Sequence, residues 1–147
     1  MIALLQRVSR SSVAIGGETV AHIGRGLNIL LGIKKGDTDA DIDKLVGKIV
    51  HLRIFADGAG KMNRSILDIG GEALVVSQFT LAGSVRKGRR PSFDDAMPPE
   101  EAKRLYECFC KAFEAHLPVK TGVFGAMMEV TIHNDGPVTF ILDSKEL

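Results

Sequence analysis

The residues of this chain best suited to chemistry fall in three short stretches. In Ser77-Gln78-Phe79-Thr80-Leu81 an apolar run abruptly acquires a hydroxyl, an amide and a second hydroxyl. A buried polar side chain left without a partner costs about 1–3 kcal/mol, so either neighbouring backbone satisfies this cluster, capping the end of a strand, or a ligand does. It is not a conventional serine hydrolase signature: there is no Gly-x-Ser-x-Gly elbow, and strand alternation sets Ser77 and Thr80 on opposite faces unless the strand breaks between them. In the second stretch Arg86, Lys87, Arg89 and Arg90 surround Gly88, with Phe93 just beyond. Such cations can grip phosphate oxygens, with the ring adding stacking or apolar contact to a nucleotide; the plain alternative is a solvated charge run. The third stretch is Asn134-Asp135-Gly136-Pro137-Val138-Thr139, a Gly-Pro step between two β-branched runs. Proline lacks an N–H and restricts the residue before it, so this connection is either a tight hairpin turn or a cis peptide that offers the Gly136 carbonyl at a loop tip.

These stretches need elements to position them. Ile2 to Val8 reads as a strand, and Val13-Ala14-Ile15 and Thr19 to Ile23 flank Gly16-Gly17, a two-residue hairpin signal. Another strand covers Leu27 to Ile33. Asp37-Thr38-Asp39 can cap a helix whose Ile42, Leu45, Val46 and Ile49 share one face. Phe55 to Gly71 reads as irregular, with Met62 and Ile66 closing over the core, and Ala73 to Phe79 as a buried strand. Pro98-Pro99-Glu100-Glu101 opens a second helix with the stripe Ala102, Leu105, Tyr106, Phe109, Ala112, Phe113 and His116; Cys108 and Cys110 fall on its edges. After Gly122 to Ala126, whose small residues permit close approach, Met127 to His133 and Val138 to Leu142 read as two strands joined by the Asn-Asp-Gly-Pro turn, with Met127 and Met128 as core filler. The whole is one α+β domain over residues 1–147, a β-rich, curved, barrel-like antiparallel or mixed sheet carrying two main helices.

Composition narrows the classes. At 147 residues and 45% hydrophobic, the chain can bury one continuous core. Its apolar runs are far too short to span a membrane and no secretory layout follows Met1, so no membrane partner and a cytoplasmic location are expected. The two cysteines are too close along one helix to pair, and the histidines at 22, 51, 116 and 133 form no ligand spacing, so no metal or other cofactor is expected. A net charge of +1 argues against a protein coating nucleic acid over its whole surface, and no DNA partner is expected, while a local basic patch remains open.

Taken together, Ser77 to Leu81, Lys87-Gly88, Arg90 to Phe93, Gly122 to Ala126 and Asn134 to Thr139, with the opening Met1 to Val8, resemble a D-aminoacyl-tRNA deacylase along essentially the whole chain. The resemblance implies a homodimeric proofreading hydrolase that cleaves the ester joining a D-amino acid to the 3′ end of tRNA, and that also accepts glycine mischarged on tRNA(Ala). It further implies that the Gly-Pro step is cis and reaches into the partner subunit's pocket, so that Gly136 and Pro137 act in trans as the element of chiral selection. The terminal ribose 2′-hydroxyl is implied to assist.

The residues suit that chemistry. Excluding an L side chain by contact while admitting an α-hydrogen calls for a rigid backbone wall. An aminoacyl ester is already activated, so a positioned water and oxyanion donors matter more than a strong nucleophile. Candidate donors are the backbone N–H groups of Gln78, Phe79 and Thr80, with Thr80 and Ser77 as positioning groups; Thr80 as nucleophile lacks an adjacent base. Arg86, Lys87, Arg89 and Arg90 would hold tRNA phosphates. The rival from another class is a dimeric RNA- or nucleotide-binding module without catalysis, which explains the basic loop but gives Ser77 to Thr80 and the Gly-Pro step no task. A β-rich oligomerisation domain is the third reading.

Overall fold

The computed structural model describes all 147 residues. Along the chain lie β1 (Ile2–Ile15), β2 (Glu18–Ile23), β3 (Gly26–Gly32), α1 (Asp39–His51), β4 (Phe55–Ala56), β5 (Met62–Arg64), β6 (Glu72–Ser77), α2 (Pro99–Glu114), β7 (Val119–Thr121) and β8 (Glu129–Asp143), with 3-10 turns at Phe79–Ala82 and Ser144–Glu146. The Gly16-Gly17 hairpin forms as its sequence dictates: both residues have positive φ (58° and 81°), the twist that a two-residue turn needs and that glycine adopts freely. β1 itself is unbroken, and Ser9 to Ser12 continue it.

The main sheet has the order β2-β1-β3-β6-β7, with β8 pairing along the other side of β1. β3 runs beside the first half of β1 and β2 beside the second, as in Ala3 against Leu31 and Ser11 against Ile23. β6 joins β3 in parallel and β7 joins β6 in parallel, so the sheet is mixed. It curls until β2 approaches β6 and β7, giving a nearly closed, barrel-like wall. Alternation along the strands then makes two cores. Ala3, Leu5, Leu27, Ile29, Leu31, Ala73 and Val75 face the helices. Val8, Val13, Ile23, Leu74 and Val76 form a smaller cluster on the other face.

Both helices follow their periodicity. α1 buries Ile42, Leu45, Val46 and Ile49; α2, with Pro99 in its first turn, buries Ala102, Leu105, Tyr106, Phe109 and Phe113. Each fully buried Leu, Ile, Val or Phe among them contributes about 1.5–3 kcal/mol. Tyr106 Oη donates to Val75 O (2.8 Å), tying α2 to β6. Both cysteines are unpaired and half-buried, and burial pushes the Cys110 thiol up to about 12.

Four expectations from the sequence are corrected. His116 lies beyond the end of α2 and is exposed, so the stripe stops at Phe113. Met62 sits on the small β4–β5 hairpin and is exposed, whereas Ile66 is buried. The strand predicted to reach Phe79 ends at Ser77. The two C-terminal strands are a single strand, β8, which begins at Glu129 and leaves Met127 almost fully exposed. α2 stops short of Pro118, which cannot continue a helix, the chain turns at Gln78 into the Phe79–Ala82 turn, and β8 is continuous because both its halves pair with β1, a long-range cause that local pattern does not encode.

A buried ionic cluster closes the sheet. The Met1 α-ammonium donates to Asp37 Oδ1 (2.7 Å) and Ser144 Oγ (2.9 Å), and Ser144 Oγ donates to Asp41 Oδ1 (2.7 Å). Lys145 Nζ also donates to Asp41 Oδ1 (2.8 Å), while Thr38 N donates to Asp41 Oδ2 (2.8 Å) at the start of α1. Burial alone would raise the Asp41 carboxyl, but the bonds from Lys145, Ser144 and Thr38 outweigh it and hold it far below the usual carboxylate range. A depressed folded-state pKa stabilises above the unfolded value and loses that contribution as pH falls. Asp41→Asn is therefore expected to cost about 2–4 kcal/mol at pH 7. Denaturant midpoints should show the gap to wild type shrinking as pH drops below about 4; equal stability at pH 7 would contradict this.

Candidate functional site

β6 supplies the first wall. Its last paired residue, Ser77, lies beside Leu31, and Gln78 N donates to Leu31 O (2.8 Å) before the chain leaves the sheet. Gln78 then turns (φ −138°, ψ 82°) into the 3-10 turn Phe79–Ala82, braced by Leu81 N to Gln78 O (3.2 Å) and Gly83 N to Thr80 O (3.0 Å). The strand thus breaks between Ser77 and Thr80, and simple alternation no longer separates them. Gln78 Nε2 donates to Thr80 Oγ1 (2.5 Å), which fixes both side chains relative to the turn. β3 lies under this turn, and Gly32 leaves it room: a Cβ there would stand 2.7 Å from Leu81 Cβ and 3.1 Å from Gln78 O.

Above the turn opens a cavity of about 620 Å³. Ser77, Gln78 and Phe79 line one side and the Phe124–Met128 segment another, while Phe93 and the start of α2 also border it. Its lining is mostly apolar, with a few polar groups at the strand end, the usual make-up of a small-ligand site. Met127, expected in the core, instead faces this space and solvent. Thr80 does not line the cavity directly but reaches it through Gln78.

The basic loop is anchored at its edge. Ser84 and Ser92 exchange backbone hydrogen bonds, both 2.8 Å, so residues 85–91 project as a closed loop. Arg86, Lys87, Arg89 and Arg90 are all exposed on it and make no ion pair. Directly after the loop, Phe93 packs edge-on against Phe79 with ring centroids 5.0 Å apart. The four cations are therefore held next to the cavity mouth.

The Gly-Pro step is not a hairpin. β8 pairs with β1 up to Asn134 opposite Val8 and resumes at Thr139 opposite Gln6, so five steps on β8 span two on β1. Both apolar runs pair the same strand in the same direction, so the chain does not reverse. Asp135 to Val138 instead stand out as a wide bulge carrying the cis Gly136-Pro137 bond, with Gly136 at φ 120°. Asn134 Nδ2 donates to Arg7 O (3.0 Å) and Val138 O (3.1 Å), closing the bulge at its base. Arg7 clamps its side: Nε donates to Asp135 O (3.3 Å) and contacts the Asp135 carboxylate (3.1 Å), while Nη1 donates to Ile54 O (2.8 Å). Sequence reasoning passed over Arg7 and the clamping role of Asn134; the one available signal was a lone cation within the strand Leu4-Leu5-Gln6-Arg7-Val8.

Gly136 and Pro137 are exposed and do not line the cavity of their own chain. The bulge stands beside Arg7, whereas Ser77 shares a row with Leu31 and Ala3, four residues away along β1, or about 13 Å at the strand rise. Between them runs an apolar row, Ile141-Leu4-Leu30-Val76. Ile141 is 70% exposed on it, and Phe79, beyond its end, is 57% exposed.

Comparison with known proteins places these features in context. A family model described as D-Tyr-tRNA(Tyr) deacylase matches residues 4–143. The chain is 65% identical to a D-aminoacyl-tRNA deacylase of Persephonella marina and 61% identical to one of Nitratiruptor sp., covering all of both chains in each case. Among solved structures, a c-Myc DNA Unwinding Element Binding Protein superposes with a TM-score of 0.93 at 46% identity, over 97% of this chain and 98% of that one. A probable eukaryotic D-amino acid tRNA deacylase shares the fold, with a TM-score of 0.78 at 21% identity, over 96% and 97% of the two chains.

Proposed function

Because the chain belongs to the D-aminoacyl-tRNA deacylase family and is a hydrolase of the aminoacyl-tRNA ester bond, we propose that its working site is shared by two copies. In this reading the cavity of one subunit binds the aminoacyl-adenosine end and the Gly136-Pro137 bulge of the other closes it. The observation that carries the reading is the separation just described: the bulge is clamped and exposed, yet it does not line its own cavity. Exposed Ile141, with part-buried Leu4 and Leu30 beside it in the row that ends at buried Val76, and exposed Phe79 beyond that end offer apolar surface for a second copy between the β8 edge and the cavity.

Within such a site the Gly136 carbonyl accepts from the substrate α-ammonium, and the bulge occupies the space an L side chain would need. A D side chain points outward and its identity matters little. Glycine has nothing to exclude, so glycyl-tRNA, including glycine mischarged on tRNA(Ala), is a substrate as well. Water attacks the ester carbonyl carbon, the bond from that carbon to the ribose oxygen breaks, and the neighbouring ribose hydroxyl relays the proton to the leaving oxygen. The oxyanion is met by backbone N–H groups of the Phe79–Ala82 turn; the N–H of Gln78 is already committed to Leu31 O, which favours those of Phe79 and Thr80. Ser77 and Thr80 hold the water and the turn in place. Arg86, Lys87, Arg89 and Arg90 grip the terminal phosphates. A non-catalytic RNA-binding module would leave the cavity and the clamped bulge without a task.

The reading is tested by a time course of D-tyrosyl-tRNA with purified protein in the presence of chelator, where turnover is expected and binding without turnover contradicts it. Thr80→Ala should slow deacylation only about tenfold, or ~1.4 kcal/mol, as befits a positioning group. A fall to the background rate would overturn the positioning role and return Thr80 to the position of nucleophile.

A further inference from the structure

The outer face of α1 carries a feature that the cavity and the bulge do not use. Lys44, Gly47, Lys48 and His51 recur at the spacing that stacks residues on one side of a helix, and with Leu52 and Arg53 they line an open groove of about 450 Å³. No acidic residue lines it, and Lys44, Lys48 and Arg53 make no ion pair, although the chain carries 18 acids against 19 Lys and Arg. Lys48 and His51 lie in the last turn, where positive charge suits the helix dipole, and that accounts for two of the residues. It does not account for Lys44, about one turn further back than Lys48, or for Gly47. A Cβ on Gly47 would meet nothing within 4 Å, so packing does not demand glycine at a helix-interior position where glycine is unfavourable. Its effect is to keep the floor of the groove at backbone level between the cations. Arg53 is held in a fixed plane, with Nε to Asn63 O (2.9 Å) and Nη2 to Asn63 Oδ1 (2.8 Å), and its other guanidinium nitrogen is left for a ligand.

The groove is coupled to the bulge through one side chain. Arg53 immediately precedes Ile54, whose carbonyl accepts from Arg7 Nη1, and the same guanidinium clamps Asp135. Groove and Gly-Pro bulge are therefore neighbours, linked through the Arg7 guanidinium and the Arg53-Ile54 backbone, so the groove accompanies the bulge to whichever cavity it enters. A concave, acid-free run of cations with a flat floor is complementary to a sugar-phosphate backbone, not to a neutral or cationic partner. We propose that the Lys44–Arg53 groove binds the phosphate backbone of the tRNA body while the aminoacyl end occupies the cavity, an inference that rests on the deacylase reading above.

The test uses the full chain with D-tyrosyl-tRNA and, as a substrate without a stem, D-tyrosyl-adenosine. Lys44→Glu combined with Lys48→Glu should raise KM for the tRNA about tenfold, leave kcat within about twofold, and flatten the slope of log(kcat/KM) against log[salt] by about one to two units. Hydrolysis of D-tyrosyl-adenosine should change by less than about twofold, because that substrate has no backbone to lie in the groove. Gly47→Glu guards against loss of fold: it puts a better helix former into open space, so melting should not fall, yet KM for tRNA should rise as well. Unchanged KM and salt slope in folded variants overturn the inference, and so does equal loss on D-tyrosyl-adenosine. A duplex DNA that competes as well as uncharged tRNA overturns the assignment of the partner. If wild type turns over neither substrate, the deacylase reading has failed, and the groove inference fails with it.

Discussion

Gly136→Ala is expected to lower deacylation of D-aminoacyl-tRNA by about 10²–10³-fold while costing only about 1–3 kcal/mol of stability. At φ 120° the residue lies where an L side chain is strained, and a Cβ there would stand 2.9 Å from Val138 Cγ2 and 3.0 Å from both Val138 N and Arg7 Nη2. Val138 is the next-but-one residue and Arg7 is tethered to Ile54 O, so neither can yield without releasing the bulge. The displaced bulge no longer presents its carbonyl at the required position. A shift of about 1 Å in a positioning group can cost about 10²-fold. Stability suffers less because Asp135 to Pro137 are exposed and outside both cores. Kinetics on D- and L-tyrosyl-tRNA with a melting curve check this. A variant with full activity and full rejection of the L substrate would refute the wall.

The second large effect is expected far from the bulge. Gly32→Ala should reduce kcat about 10²-fold with little change in KM if the Phe79–Ala82 turn carries the oxyanion donors as proposed, because it pushes on that turn. The clash is with Leu81 Cβ at 2.7 Å and Gln78 O at 3.1 Å, which are not the ends of flexible side chains, so the Phe79–Ala82 backbone itself must move. Overpacking of this kind costs about 1–3 kcal/mol, which leaves a domain with two intact cores folded. A folded Gly32→Ala enzyme with wild-type kcat would show that the turn's N–H groups are not what meets the developing charge.

How much of this was visible beforehand depends on whether the cause was local. The Gly16-Gly17 hairpin, the capped α1 and the proline-led α2 are written in adjacent residues, and all three form, although α2 ends before His116. The cavity wall at Ser77 to Phe79 was legible because polar groups at the end of the run Ala73 to Val76 need an explanation. The continuity of β1 was not legible, because the polar run Ser9-Arg10-Ser11-Ser12 between its two apolar parts carries no strand alternation. In the fold Ser11 is buried, donating to Thr131 O (2.7 Å) and accepting from Asn28 Nδ2 (3.0 Å), partners remote in sequence. The Gly-Pro stretch reads locally as a turn and becomes a bulge only because β1, more than a hundred residues earlier, pairs with both of its flanks. For the same reason Arg7 could not be recognised as the clamp. The groove on α1 was hidden in an ordinary solvated helix face until Gly47 proved to have open space above it.

The central claim is that each site draws its cavity from one subunit and its bulge from the other, and mixing two defective proteins tests it most directly. Gly136→Ala keeps the cavity intact, and Gly32→Ala keeps the bulge intact. Unfolded and refolded together, about half of the resulting dimers contain one of each, and each of those has one site built from the two sound halves, so the mixture should recover about a quarter of wild-type deacylation. If the bulge instead serves its own chain's cavity, every site in every dimer carries a defect. The mixture would then show no more activity than the two variants assayed separately, and that result would contradict the shared site.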